Sequence, residues 1–351
     1  MKILVIQQKM IGDVLTSSIL FEALRKEYPK AKLHYLIHPH TTPVVENNPF
    51  IDKIITYDPQ LNRNPLGFLR FSSRIRENNY TAVIDVYSKI STGMISRFSG
   101  AVIRLSFEKK YTSVLYSRTF RYLTTPKTAA GLAVENRMQL LQGLNKNFPQ
   151  ELKPKIYLSE SEKQAAREKL RKANMDMEKP LVMCGVLGSS PSKSYPLKFM
   201  ATVLNELADT LNNVQILFNY LPSQRKEAEK IYNYCSEETR SRIFLNIYEK
   251  ELKGFILNCA NCDLFIGNEG GAANIAKALE IPTFSIYSPS VKKSYWAIYE
   301  DGLQNKSIHL EDYPIEERNP KNNKGLKPEY FLHELRDFVT EIFLNNSKIK
   351  K

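Results

Sequence analysis

No stretch of this sequence stays apolar for anything near the roughly 20 residues that span a bilayer. The apolar run after Met1-Lys2, Ile3 to Ile6, is also far short of a signal-peptide core. Neither a membrane-spanning nor an exported chain is expected. Cysteine is scarce, with four in 351 residues, which argues for a reducing compartment and against a disulfide framework. Cys259 and Cys262 form a C-x-x-C, but no second pair or nearby His completes a metal site. His34, His38 and His40 alternate along an apparent strand without a carboxylate at ligand spacing. No metal is expected, and these residues read as structural. The chain also lacks a fixed-period repeat and any low-complexity tract, which excludes solenoids and linker-like arrays. It has neither the G-x-G-x-x-G of a dinucleotide fold nor a Walker A sequence, so an oxidoreductase of the Rossmann type and a P-loop ATPase are both set aside.

What is present is the composition of a folded globular protein: 42% hydrophobic, 25% charged and 11% aromatic residues. At about 150 residues per domain, the length suggests two domains, each able to bury its own core. Lys and Arg outnumber Asp and Glu by 50 to 37, for a net charge of +13. That balance favours anionic partners such as phosphates or a membrane surface. Nucleic acid is not expected, because the basic residues are dispersed and no recognised motif accompanies them.

Apolar strand-like runs alternate with amphipathic stretches, the pattern of βαβ units around a parallel sheet. In the first half the expected strands are Ile3–Ile6, Leu33–Ile37, Lys53–Thr56, Ala82–Val86 and Val102–Ser106. Helices are expected at Val14–Tyr28, closed by Pro29, and at Leu66–Glu77. In the second half the strands are Leu181–Val186, Val214–Phe218, Ile243–Asn246, Leu264–Gly267 and Thr283–Tyr287. The expected domains are 1–150 and 151–351, with a last helix over Pro328–Ile342 and a polar tail from Asn345 to Lys351.

Doubly wound sheets bind ligands outside the carboxyl ends of their strands, so three loops hold the candidate chemistry. The first, Gln7 to Asp13, runs from strand one into a helix. Asp13 is either a helix N-cap or a carboxylate free to take a proton from a hydroxyl. The second, Gly188 to Pro196, carries Ser189, Ser190 and Lys193 ahead of a helix near Leu197; it is either a surface loop or an anion site. The third, Asn268 to Asn274, sets Glu269, Gly270 and Gly271 between a strand and the helix Ala273–Leu279. It is either a tight connection or a place where backbone and helix dipole meet a diphosphate. A basic and aromatic stretch, with Lys109, Lys110, Arg118 and Arg121 before Glu135, suits an anionic acceptor or membrane surface.

Together, Ile11-Gly12-Asp13-Val14-Leu15, Gly188 through Pro196, and Asn268 through Leu279 resemble the motifs of glycosyltransferase family 9, the lipopolysaccharide heptosyltransferases and their relatives. The resemblance implies an α/β fold of GT-B architecture, two Rossmann-like doubly wound domains facing a cleft, the N-terminal one for the acceptor and the C-terminal one for a nucleotide sugar. It further implies an inverting, metal-independent and cofactor-free transfer of a sugar, heptose by family, from an ADP-sugar donor to a lipopolysaccharide core or other lipid-linked or anionic glycan. The protein would be cytoplasmic, with peripheral contact at the inner face of the cytoplasmic membrane left open. By the same resemblance Asp13 is the base, Ser189, Ser190 and Lys193 contact phosphate, and Glu269, Gly270, Gly271 and Asn274 hold the donor. Glu269 and Asn274 stand where the family commonly has Asp and His, which opens the choice of donor sugar. A catalytically silent binding protein of the same fold is the alternative.

Overall fold

The computed structural model describes residues 1–144, 147–314 and 324–349. By contact the chain divides into two compact units, Met1–Tyr157 with Ser294–Ile298, and Leu158–Lys293 with Tyr299–Lys351. The short segment Ser294–Ile298 belongs to the first unit although it lies deep in the second half of the chain.

The first unit carries strands β1 (Lys2–Ile6), β2 (Lys32–Ile37), β3 (Lys53–Thr56), β4 (Ala82–Asp85), β5 (Ile103–Phe107) and β6 (Arg118–Phe120). They form one sheet in the order β3-β2-β1-β4-β5-β6, with every pairing parallel. Parallel strands covered on both faces need continuous apolar sequence, and Ile3, Leu4, Val5 and Ile6 are all fully buried. Each such aliphatic side chain contributes about 1.5–3 kcal/mol before the entropy of ordering is set against it. The strand order reverses between β1 and β4, where Ile6 lies beside Asp85; this is the switch point at which such sheets bind ligands. Its helices are α1 (Ile11–Ser17), α2 (Ile19–Glu27), α3 (Pro65–Arg76), α4 (Ile90–Phe98) and α5 (Leu132–Gln139).

The single helix expected from Val14 to Tyr28 is two helices, and hydroxyl side chains explain the break. Thr16 Oγ1 donates to Gly12 O at 2.8 Å and Ser18 Oγ to Leu15 O at 2.7 Å, bonds that bend a helix by competing with its own ladder.

The second unit contains α6 (Glu160–Lys172), β7 (Leu181–Gly185), α7 (Leu197–Thr210), β8 (Gln215–Asn219), α8 (Arg225–Tyr234), α9 (Glu237–Arg242), α10 (Leu252–Cys259), β9 (Leu264–Asn268), α11 (Gly271–Ala278), β10 (Thr283–Ile286), β11 (Asn305–Ile308) and α13 (Leu332–Ile349); α12 (Lys293–Trp296) runs across the division. The sheet order is β11-β10-β9-β7-β8, parallel throughout. Its switch point lies between β7 and β9, so the loops after these two strands are neighbours. Leu335, Phe338, Val339 and Ile342 of α13 are buried in this unit's core, at the i, i+3, i+4, i+7 spacing of an amphipathic helix.

Two expectations fail here. Ile243–Asn246 is not a strand: Ile243 makes one isolated bridge to Ile216, then Ile247 N bonds Phe244 O at 3.0 Å. That turn brings Tyr248 onto Tyr220, rings 4.4 Å apart and stacked. The tail from Asn345 is helical as far as Ile349, since no Gly or Pro stops α13; Lys350 and Lys351 lie outside the described residues. The four cysteines are buried and free, and His34 is buried with Nδ1 2.8 Å from the Tyr80 hydroxyl.

Candidate functional site

In the first unit the chain leaves β1 and enters α1 with Met10 as the capping residue. Asp13 is therefore the third residue of the helix and not its N-cap, because the helix begins early enough to take Gly12 into its first turn. Met10 N–H reaches Asp13 Oδ2 at a long 3.4 Å. The strong contact is elsewhere: Arg137 Nη2 donates to Asp13 Oδ1 at 2.7 Å, with the two side chains 4% and 26% exposed. The guanidinium is held from all sides. Its Nε donates to Ser17 Oγ at 2.8 Å and its Nη1 to Ala133 O at 2.6 Å, and it lies 5.7 Å from the centre of the Trp296 ring. The result is a carboxylate with one oxygen fixed by a buried guanidinium and a side chain left about a quarter exposed.

Tyrosines surround this pair. Burial raises the phenol pKa values of Tyr87, Tyr122 and Tyr295, and in each the charge of Asp13 adds to the rise. At the end of β4, Asp85 is fully buried. It accepts from Ser88 N at 2.9 Å and the Tyr116 hydroxyl at 2.7 Å. Burial pushes its pKa up to about 6 against those hydrogen bonds and the charge of Lys109.

Arg137 belongs to three consecutive polar residues of α5 that are all buried, Glu135, Asn136 and Arg137. Glu135 Oε1 accepts from Lys127 N at 2.8 Å and Thr128 N at 2.6 Å, and Asn136 Oδ1 from Leu123 N at 2.8 Å. These bonds pin the basic and aromatic excursion to α5. The four basic residues singled out there have different surroundings. Lys109 is half-buried and donates to Ser88 O at 2.9 Å; Arg121 pairs with Glu108 at 3.0 Å; Arg118 lies over the Phe120 ring at 4.9 Å; Lys110 is exposed.

In the second unit the loops after β7 and β9 meet. Gly188 lets the first of them close on itself: a Cβ there would sit 2.4 Å from Lys193 O. Ser194 Oγ accepts from Gly188 N at 3.0 Å and donates to Ser190 O at 2.9 Å. The side chains of Ser189 and Lys193 are left exposed, with Ser190 partly so. Asn268, buried at the end of β9, joins the loops, accepting from Tyr195 N at 2.7 Å and donating to Gly185 O at 2.9 Å. Burial raises the pKa of Glu269 and the charge of Lys193 opposes the rise, so these two candidates share one electrostatic neighbourhood. Gly270 caps α11 at φ +140°, with no side chain bonding the cap. Asn274 is partly buried one turn on, its N–H bonded to Gly270 O at 3.1 Å.

Two cavities open on this unit. One is lined by Lys193, Tyr195, Asn268, Tyr287, Ser288 and Leu326 among others. The other, beside the middle of β7 and the end of β8, is lined by Met183, Phe218, Asn219, Tyr248, Glu249 and Asn258 among others. Sequence reasoning reached Asp13 and the two glycine-containing loops from their places after strands. It missed Arg137, Asp85 and the joining role of Asn268. The signal for Arg137 was the run Glu135-Asn136-Arg137, three polar residues in a row that no single exposed helix face can hold.

Residues 68–325 match the model of glycosyltransferase family 9 (heptosyltransferase). The lipopolysaccharide heptosyltransferase 1 of Campylobacter coli is 24% identical over 304 residues, 84% of this chain and 86% of that protein. Two solved structures share the fold: a family 9 glycosyl transferase of Veillonella parvula, TM-score 0.77 at 17% identity over 97% of both chains, and the E. coli ADP-heptose LPS heptosyltransferase II, TM-score 0.74 at 19% identity over 97% of this chain and 99% of that one.

Proposed function

Because the chain belongs to glycosyltransferase family 9, and is thus a glycosyltransferase, we propose that it moves heptose or a related sugar from an ADP-linked donor to a hydroxyl of a lipopolysaccharide core or similar anionic glycan. In support of this reading, a structural neighbour's name specifies ADP-heptose and a relative's name specifies lipopolysaccharide. The first unit serves the acceptor and the second the donor.

The reaction is a single displacement. The acceptor oxygen attacks the anomeric carbon, the bond from that carbon to the diphosphate breaks on the opposite face, and the acceptor's proton passes to the Asp13 carboxylate. The sugar is inverted. One observation carries the assignment of the base: a buried guanidinium grips Asp13 Oδ1 at 2.7 Å, leaving Oδ2 with only the long contact to Met10. A base need only be ionised, oriented and within reach of the proton it takes.

Negative charge gathers on the departing diphosphate. Lys193, Ser189 and Ser190 on one loop, and the first N–H groups of α11 beyond Gly270 on the other, supply fixed positive potential for it. Glu269 and Asn274 then face sugar hydroxyls. With this cationic and dipolar provision the transfer needs no metal ion. Lys110 and Arg118 provide for phosphates on the acceptor.

The test is a thermal-shift panel of nucleoside diphosphates and nucleotide sugars followed by transfer assays with and without chelator. ADP and ADP-heptose should raise the melting temperature most, and transfer should persist in the chelator. A clear preference for another nucleotide would refute the donor assignment, and activity lost on chelation would refute the metal-free mechanism.

A further inference from the structure

In α4 the usual order of a surface helix is reversed. Its inward side holds small residues, with Thr92, Gly93 and Ser96 buried beside Ile95. Its outward side holds Ile90, Met94 and Phe98, exposed by 57%, 37% and 39%. Those three recur every four residues and form one row along the helix. Next to it, α3 packs alongside and adds Leu66 and Leu69, exposed by 67% and 53%. The turn Ser113–Leu115 presses on α4, where a Cβ at Gly93 would meet Leu115 Cδ1 at 2.6 Å, and it adds Val114, exposed by 84%. Large apolar side chains gathered on adjacent elements mark a surface that something covers.

The polar residues among them give the chemistry of that cover. Arg70 and Arg74 lie on the exposed side of α3, Lys89 and Arg97 on that of α4, and Arg118 beyond the turn. Between Arg63 and Glu108 the acidic residues are Glu77 and the fully buried Asp85. We propose that this face of the first unit docks on an anionic lipid surface. The apolar row enters the boundary between headgroups and acyl chains, and the guanidiniums meet headgroup phosphates. At 12 and 9 residues, α3 and α4 are far below the roughly 20 needed to span a bilayer, and no helix among the described residues is long and apolar enough to do so. The mode is therefore attachment along the surface. Apart from Arg118, which the sugar-transfer reading also places near acceptor phosphates, none of these side chains is assigned a part in the reaction, and neither variant below changes Arg118.

The experiment is vesicle co-sedimentation of the full chain, with phosphatidylcholine alone or with one third phosphatidylglycerol, at low and near-physiological salt. Two variants are compared, Ile90→Gln/Met94→Gln/Phe98→Gln and Arg70→Glu/Arg74→Glu/Arg97→Glu. The wild type should bind the anionic vesicles, less so as salt screens the charges, and each variant should lose affinity by about tenfold or more. Melting temperature and ADP-induced stabilisation should stay at wild-type values in both, which separates this surface from the donor site. If the apolar variant melts early, the arginine variant decides, because it changes only exposed charge. Wild type that ignores anionic vesicles, variants that bind as well as wild type, or a wild type that pairs with its own copy through this face would each overturn the proposal.

Discussion

Asp13 is shared between two tasks that a single substitution pulls apart. Asn at this position keeps the shape and the weak acceptor for Met10, yet it leaves Arg137, only 4% exposed, without its counter-charge. Stranding a buried charge-assisted partner costs about 1–3 kcal/mol, so Asp13→Asn should melt earlier than wild type. Measured where the variant is still folded, transfer should fall by about 10²–10⁴-fold, with nucleoside diphosphate affinity unchanged. Turnover close to wild type under those conditions would remove Asp13 from the chemistry. Lys193 offers the complementary case, because its side chain is exposed and it is the main chain at this position that closes the loop. Lys193→Ala should move stability by no more than about 0.5 kcal/mol while slowing transfer by about 10²–10³-fold. Calorimetry should show weaker nucleoside diphosphate binding, and unchanged affinity and rate would make Lys193 an ordinary surface residue. Both residues were legible because a loop leaving a parallel strand is a chemically privileged place. The polar run Glu135-Asn136-Arg137 signals that Arg137 is unusual, but its pairing with Asp13 was not legible, since the partner lies 124 residues away in sequence.

At the scale of elements, strands with an apolar centre were legible, the edge strands β3 and β8 included, and two edge strands without one were not. Edge strands β6, Arg118-Thr119-Phe120, and β11, Asn305-Lys306-Ser307-Ile308, are short and mostly polar, so no apolar run betrays them. Ile243–Asn246 misled in the other direction, an apolar start that a turn cuts short. The loop after β7 depends on Gly188, where an added Cβ would meet backbone and not a yielding side chain. Gly188→Ala should cost about 1–3 kcal/mol and weaken nucleoside diphosphate binding, whereas unaltered binding would mean that this loop does not contact the donor. The end of β4 supplies a pH dependence. Asp85 has its pKa raised from 3.8 to about 6 by burial, so its protonated form is the one the fold prefers. Its contribution to stability is complete below about pH 4, declines as pH rises through about 6 and is gone above. The difference between those values corresponds to about 3 kcal/mol. Denaturation curves across that range should show this decline in wild type and not in Asp85→Asn; the same slope in both would assign it to other groups.

For the whole molecule, the alternation of strands and helices and the presence of two parallel sheets could be read from the chain. The return of Ser294–Ile298 to the first unit could not, since contact and not sequence order assigns it. Trp296 and Tyr295, which stand beside Arg137 and Asp13, are on that returning segment, so the surroundings of the candidate base draw on chain far from the first unit's own sequence. The residues proposed for the donor, in contrast, all lie between Gly188 and Asn274 of the second unit. A ligand stabilises whatever part of the protein must be folded to hold it, by about 2.7 kcal/mol at a hundred times its dissociation constant. ADP should therefore slow amide hydrogen exchange first in the loops after β7 and β9 and in α11. The backbone around Asp13 and α5 should respond less to ADP alone, because the proposed base would act on the acceptor and no diphosphate contact is assigned to it. Exchange measured with ADP and without ligand distinguishes the possibilities. Protection concentrated at Gly188–Pro196 and Asn268–Asn274 would support the division of labour between the units, while protection centred on Gln7–Asp13 would place the diphosphate on the first unit and reverse the roles proposed for the two sheets.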